Sequence, residues 1–326
     1  MVGSRSPAGN DFSNAAIVAI LERRDRVLAT SRLASTTAAN ADDEVGGSTP
    51  TIMPGRADSI TAVQSAAMIL QGKTIVVSGV GPGLGREVAT IALRDGANVV
   101  LAARSSERLA ALAKDLDPSG TRTAAIATDI TDADQCNALM TGAVARFGAV
   151  HGLVQVAALD AIFGGVTTTP DEDWNASFSV NVLGPVHLVR AIAPELDRQG
   201  GGSVVFIGSQ SMYKAQVMQI AYASVKGALM SAMYYMAMEL GPKRIRVNTV
   251  VPTWMWGPPV EGYVNMTAQQ QGVPVEQIIG GITANMPLGE IPADEDVAEC
   301  VAFLLSDRAR MITGQSLLVN AGEFMR

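Results

Sequence analysis

Cysteine and histidine are nearly absent from this chain of 326 residues, which has only Cys136 and Cys300, and His151 and His187. Two isolated cysteines supply neither a disulfide framework nor a structural zinc site, and they suit a reducing compartment, so the expected location is cytoplasmic. Two histidines in separate segments leave a Ser-His-Asp triad or an all-protein metal cluster little to work with, and no metal is expected. His187, beside Leu188 and Val189, reads as a helix-packing residue. Positive charge is also in deficit, with 24 Lys and Arg against 31 Asp and Glu, a net charge of -7. Nucleic acid and anionic lipid need clustered cations, so neither is an expected partner. No uninterrupted apolar run approaches the ~20 residues that cross a bilayer, because charge or glycine breaks the longest stretches, and no membrane span is expected.

What the chain does have is 48% hydrophobic residues and 32 glycines, a composition suited to a buried parallel sheet with tight turns. Residues 1–69 differ from the rest, with Ala, Ser, Thr, Gly and Asp dominating 31–65, and they read as an extension that is disordered or forms one docking helix. An amphipathic helix fits 14–29, with Ile17, Ile20, Leu21 and Leu28 on one face. Asp11 and Glu22 make its apolar stretch a poor signal peptide. A start at Met53 or Met68 is an alternative reading of the same segment. From Gly72 onward apolar β-branched runs alternate with helical patterns, the mark of an α/β fold with a Rossmann-type doubly wound parallel sheet in a single domain, 70–326. Strands are expected at 74–78, 97–103, 123–128, 152–157, 203–207, 246–250 and 316–319. The segment 253–285 is expected to form a lid.

Two strings carry the chemistry. Ser78-Gly79-Val80-Gly81-Pro82-Gly83-Leu84-Gly85 follows the run Thr74-Ile75-Val76-Val77 and precedes a helix with Val88, Ile91 and Ala92 on one face. Glycines in such a strand-to-helix turn adopt positive φ and admit a pyrophosphate, which the free N–H groups of the helix start attract. Taken alone, the turn has a structural alternative as a tight connection. Far downstream, Tyr222 and Lys226 stand four apart at the start of a helix, so both side chains share one face. A phenol is a poor acid or base near neutral pH, and a fixed ammonium is expected to draw its pKa down. The bland alternative is an exposed helix pair.

Together these strings resemble the short-chain dehydrogenase/reductase family over about 70–324. The turn is similar to that family's G-x-x-x-G-x-G at Gly79, Gly83 and Gly85, and Tyr222-Ala223-Ser224-Val225-Lys226 to its Tyr-x-x-x-Lys. The resemblance implies a catalytic set of Asn181 (in Asn181-Val182-Leu183-Gly184), Ser209, Tyr222 and Lys226. It implies that Ser209 orients the substrate oxygen, Tyr222 moves the proton, Lys226 binds ribose, and Asn181 kinks its helix and holds a relay water. The structural alternatives are a helix-start serine and a helix-bending asparagine. For the cofactor it implies Gly79, Gly83, Leu84, Gly85, Asp129, Ile130, Ala157 and Pro252 beside Tyr222 and Lys226. Arg246-Val247-Asn248 and Ile312-Thr313-Gly314-Gln315 match further signatures of the family. The second strand ends in Ala102-Ala103-Arg104-Ser105 with no acidic residue, so Arg104 is expected to favour NADP(H) over NAD(H). Two departures stand out. Gln155-Val156-Ala157-Ala158 replaces Asn-Asn-Ala-Gly, and Pro252-Thr253-Trp254-Met255-Trp256-Gly257 lacks the threonine of Pro-Gly-x-x-x-Thr.

Loops after the fourth, fifth and sixth strands offer Ile162, Phe163, Met212, Tyr213, Met218, Trp254, Met255, Trp256 and Tyr263, with Phe163, Met212, Tyr213, Trp254 and Trp256 the expected substrate lining. A bulky apolar secondary alcohol or ketone fits best, of steroid, terpenoid or cyclic type. The alternatives are a 3-oxoacyl-thioester reductase, for which no basic patch is evident, and a non-catalytic cofactor sensor or scaffold. Trp254 and Trp256 read equally as packing residues. The resemblance further implies a homo-oligomer, tetramer or dimer, and Met230, Met233, Tyr234 and Met236 supply either its interface or core.

Overall fold

Short β-branched and apolar runs cut by glycine or polar turns form seven strands in the computed structural model, which describes residues 68–325. They are β1 (Thr74–Ser78), β2 (Asn98–Ala103), β3 (Thr123–Ala127), β4 (Gly152–Gln155), β5 (Gly202–Ile207), β6 (Ile245–Pro252) and β7 (Ser316–Val319). Between them lie α1 (Leu84–Arg94), α2 (Ser106–Leu116), α3 (Ala133–Phe147), α4 (Asp171–Phe178), α5 (Gly184–Arg198) and α6 (Ile220–Leu240). The segment between β6 and β7 holds α7 (Pro258–Gln271), α8 (Val275–Thr283) and α9 (Asp294–Leu305). The expected helix at 14–29 and the start at Met53 lie outside the described residues.

All strands are parallel, in the order β3-β2-β1-β4-β5-β6-β7. The direction of winding reverses between β1 and β4, and ligands bind such sheets in the crevice beyond the carboxyl ends at that switch point. Each face of the sheet has its own core. Val88 and Ile91 of α1 and Val297 and Val301 of α9 pack on one face, and Leu139 of α3, Ile192 of α5 and Leu229 of α6 on the other. Leu139, Ile192, Leu229 and Phe206 are solvent-free, and each contributes roughly 1.5–3 kcal/mol of burial free energy. Two free cysteines stand among these packing residues, Cys136 buried and Cys300 half-buried.

Two strand ends differ from expectation by two residues, and contacts with neighbouring strands set both. β4 stops at Gln155 because the Val156 and Ala157 amides both turn onto the single carbonyl of Ser78, at 2.8 and 3.0 Å, which ends the ladder. β6 runs on to Pro252, paired with Val319; a proline is tolerated there because it is the last residue of the strand. The sequence signatures around β6 are lacing. Asn248 donates to Ile312 O and accepts from Gln315 N, Thr313 Oγ1 accepts from Val247 N, and Arg246 donates to Leu304 O and Ser306 O. The run Asp171–Arg198 is long and apolar enough to cross a membrane by length and composition. Its Leu188, Val189, Ile192 and Leu196 lie in the core of this domain, which explains its apolar character.

Candidate active site

The glycine turn joins β1 to α1 in the crevice, and each motif glycine has its own steric reason. Gly79 has φ 90, and a Cβ there would lie 2.1 Å from Ala157 N. A Cβ on Gly85 would lie 2.5 Å from Gly79 O, so the helix start closes tightly on the turn. Gly83, at φ 103, caps α1 without a side-chain hydrogen bond, and Leu84 opens the helix. The Leu84 and Gly85 N–H groups are thereby left for an anion, with the helix dipole behind them, while Arg86 N already donates to Gly83 O. Gly81 has open space around it and no constraint of this kind. This donor set and the close backbone approach fit a dinucleotide pyrophosphate.

Around the turn, β2 delivers Arg104 one residue past its end, exposed and with no hydrogen bond or ion pair among the described residues. Asp129 does not reach outward, because its carboxylate closes a local turn by accepting from Thr131 N and Thr131 Oγ1. Ile130 is buried against Gly184, where a Cβ would lie 2.6 Å from Ile130 Cδ1, and Ile130 O contacts His187 Nδ1 at 3.1 Å. That contact accounts for both the glycine of Asn-x-x-Gly and the packing role of His187. Gln155 bends back to donate to Ala157 O, so it braces its own loop, and its Oε1 has no hydrogen-bond partner.

The proton-transfer residues converge from three elements. Ser209 lies two residues past β5, where its Oγ caps the short turn Gln210–Met212 and meets Ser211 Oγ at 2.9 Å. The same side chain is hydrogen bonded to the Tyr222 hydroxyl. Tyr222 and Lys226 lie on the first turns of α6. Lys226 is 2% exposed, its Nζ donates to Ile207 O at 2.8 Å, and it sits 5.6 Å from the centroid of the Tyr222 ring.

The expected lowering of the phenol pKa is not what this arrangement produces. Burial and the Asp160 carboxylate push Tyr222 above the ordinary tyrosine range, and the Ser209 hydrogen bond only partly offsets them. The lysine spends its donor on a carbonyl and not on the phenol, and burial brings Lys226 down to about 8 despite Asp160.

Asn181 is solvent-free in a π-helical turn, Ser179–Leu183, between α4 and α5, and this turn is the expected kink. Its Nδ2 donates to Leu159 O and Ser177 O, and its Oδ1 accepts from Leu159 N. The side chain therefore clamps the loop after β4 and has no donor left for a water. One residue beyond the clamp is Asp160, exposed, whose field reaches both Tyr222 and Lys226. Sequence reasoning missed Asp160, since nothing in a loop residue's neighbours announces its distance from a helix far downstream.

The expected substrate residues are only half-buried, and several have protein partners. Trp254 packs on Tyr263 of α7 with ring centroids 5.3 Å apart, and the Trp256 backbone pairs with the chain at Pro292 and Asp294. Met255 is half-buried and packs against the cluster under α1 and α9. Met233 is core, and Met230 and Met236 pack against that core. Tyr213 stacks on Phe324, with 5.8 Å between centroids, and donates to Met230 Sδ. Phe163 and Met212 are half-buried in the loops after β4 and β5.

A second missed residue, Glu323, ties two of these loops together by accepting from Thr253 Oγ1 and from Lys214 Nζ. Burial alone would raise its pKa, but these hydrogen bonds outweigh it and hold the carboxyl below the usual carboxylate range. Replacing Glu323 by Gln removes the charge that holds both loops. The expected result is a KM for ketone raised about 3- to 10-fold with the Kd for dinucleotide unchanged, read by steady-state kinetics beside binding titrations.

Comparison with known proteins agrees with this geometry. A family model described as Enoyl-(Acyl carrier protein) reductase matches residues 79–323. The L-rhamnose 1-dehydrogenase (NAD(P)(+)) of Azotobacter vinelandii is 32% identical over 263 residues, 79% of this chain and 99% of the relative. The 7alpha-hydroxysteroid dehydrogenase of Escherichia coli is 29% identical over 255 residues, 78% of this chain and 94% of the relative. Among solved structures, a short-chain type dehydrogenase/reductase from Mycobacterium ulcerans superimposes with a TM-score of 0.71 at 30% identity, covering 78% of this chain and 90% of that one. The chain therefore belongs to the short-chain dehydrogenase/reductase family, NAD(P)-dependent oxidoreductases acting on CH-OH groups.

Proposed function

We propose that the protein interconverts a secondary alcohol and a ketone on a bulky, largely apolar substrate, with NADP(H) favoured over NAD(H). The observation that carries this reading is the Tyr222 hydroxyl, hydrogen bonded to Ser209 and backed by the buried Lys226 on the same helix. A binding protein that only sensed the dinucleotide would have no use for this proton-transfer set.

In this reading Gly79, Gly83, Leu84 and Gly85 hold the pyrophosphate, Arg104 the 2′-phosphate, and Asp129 and Ile130 border the adenine. Ala157, Lys226 and Pro252 border the ribose and nicotinamide, which when bound supplies the hydride chemistry. Tyr222 gives its proton to the ketone oxygen while Ser209 holds that oxygen in place. The raised phenol pKa keeps Tyr222 protonated in the free protein, the form that reduction requires. Asn181 positions Leu159 and hence the loop carrying Asp160.

The apolar substrate class rests on the half-buried Phe163, Met212 and Trp256 in the loops after β4, β5 and β6. Measuring NADPH and NADH oxidation with cyclic, steroidal, terpenoid and sugar substrates tests it. Turnover confined to sugars overturns the apolar class, and no turnover with any of them overturns the oxidoreductase reading of the site.

Arg104 carries the cofactor preference. Arg104→Ala is expected to weaken NADPH roughly 10- to 100-fold and leave NADH within about twofold, because only the former presents a phosphate to the guanidinium. Equal losses for both cofactors would remove the basis for the preference. We also infer a cytoplasmic homo-oligomer with its catalytic domain at 70–326. The outer face of α6 exposes Tyr235 at 69% and Met238 at 79%, near the half-exposed Phe178 and Leu183 that flank the π turn, and a second copy would cover such a face.

A further inference from the structure

Asp294 is a buried carboxylic acid that the chemistry above leaves unused. It is the first residue of α9 and is 7% exposed. Its backbone N–H donates to Trp256 O at 3.3 Å, while its carboxyl has no hydrogen-bond or ion-pair partner among the described residues. Two glycines make room for it. A Cβ on Gly83 would lie 3.1 Å from Asp294 Oδ2, and a Cβ on Gly257 only 2.1 Å from the same oxygen. Gly83 caps α1 inside the glycine turn, and Gly257 caps α7, the first helix of the lid. One carboxyl oxygen is therefore wedged between the start of the dinucleotide-binding helix and the start of the lid.

The charges on the surrounding elements do not favour an anion there. On α1 stand Glu87 and Arg86, the latter paired with Asp115. On α9 stand the exposed Glu295 and Asp296, and Asp296 accepts from Ala293 N; α7 contributes the exposed Glu261. Burial, reinforced by Glu87, pushes the Asp294 carboxyl up to about 6. A pyrophosphate at the N-terminus of α1 would bring further negative charge to the same turn, and like charges in one partly desolvated site disfavour each other's ionised forms.

We propose that Asp294 is the proton-linked element of the dinucleotide site, neutral when the pyrophosphate occupies the glycine turn, so that binding at neutral pH takes up a proton. This rests on the reading of that turn as the dinucleotide site. In the free protein Asp294 is mostly ionised above pH 7, so affinity falls as pH rises. The amide of Asn, nearly the same shape and always neutral, removes the dependence.

The test is calorimetric titration of the full chain with NADH at pH 6, 7 and 8, each in two buffers of different ionisation enthalpy. NADH is chosen because it has no 2′-phosphate to titrate in the same range. The Kd of the unaltered protein is expected to rise about tenfold or more between pH 6 and 8, with uptake approaching one proton at pH 7. In Asp294→Asn the Kd stays flat and proton uptake vanishes. Glu87→Gln provides a second variant, expected to shift the fall in affinity to lower pH, since Glu87 helps hold Asp294 protonated. Equal pH slopes and equal proton uptake in the unaltered protein and Asp294→Asn overturn the proposal, as does tight NADH binding without proton uptake. Failure to bind NADH and NADPH alike at every pH overturns the dinucleotide site itself.

Discussion

Phenylalanine in place of Tyr222 abolishes turnover while leaving dinucleotide binding within about twofold of the unaltered protein. The expected loss in kcat is roughly 10²–10⁴-fold, the size of the general acid contribution that the hydroxyl makes. The ring itself keeps its place on the first turn of α6 beside Lys226 Nζ, 5.6 Å from its centroid, so the fold and the nicotinamide wall survive. What is lost is the O–H that bonds to Ser209. Mutant activity equal to the unaltered protein would remove Tyr222 as proton donor. A companion observation concerns pH. Burial depresses Lys226 to about 8, so the ammonium is present below that value and is lost as pH rises through it. Carbonyl reduction is therefore expected to fall on the alkaline side of about pH 8, and a kcat/KM profile flat to pH 10 would show that the Lys226 charge plays no part.

Alanine at Gly79 is the second large effect, and it acts on the cofactor and the fold together. The new Cβ would sit 2.1 Å from the backbone nitrogen of Ala157, an atom that cannot swing aside, at a residue with φ 90. The left-handed conformation alone costs an L-residue about 1–2 kcal/mol, and relieving the clash means moving the loop after β4. The expected outcome is a fall of several degrees in Tm and at least a hundredfold weaker NADPH binding, roughly the loss of 3 kcal/mol of contacts with the turn. Gly81→Ala is the internal control, because nothing lies within 4 Å of its Cβ position and its φ is not positive. Thermal melts and binding titrations of both variants decide the matter. Equal behaviour of the two would mean that the turn is only a connection.

Much of the fold was legible because its elements are short-range objects. A β-branched run closed by glycine has few alternatives to a buried strand, and the expected strands fall on β1 to β7 with shifts only at their ends. The spacing of Tyr222 and Lys226 likewise needs only helical geometry to place both side chains on one face. Tertiary packing set the strand ends, because one Ser78 carbonyl drawing two amides ends β4, a contact between strands that no local pattern encodes.

The chemistry of the site was less legible than its membership. Spacing indicated which residues belong together, but the direction of the Tyr222 pKa depends on burial and on Asp160, whose proximity follows from Asn181 gripping Leu159 across a π turn. Glu323, at the far end of the chain, joins Thr253 and Lys214, and Asp294 joins Gly83 to Gly257, only once the sheet has brought their elements side by side.

By itself the sequence determined the parallel α/β sheet, the glycine turn and the helix that bears Tyr222 and Lys226, because periodicity and glycine placement act within one or two turns of chain. Only the tertiary structure decided which charges those groups feel and which side chains are left unpaired. Desolvation and Coulomb interactions depend on distance in space, and the carboxylates of Asp160, Asp294 and Glu323 acquire their surroundings only when segments remote in the chain close around the crevice.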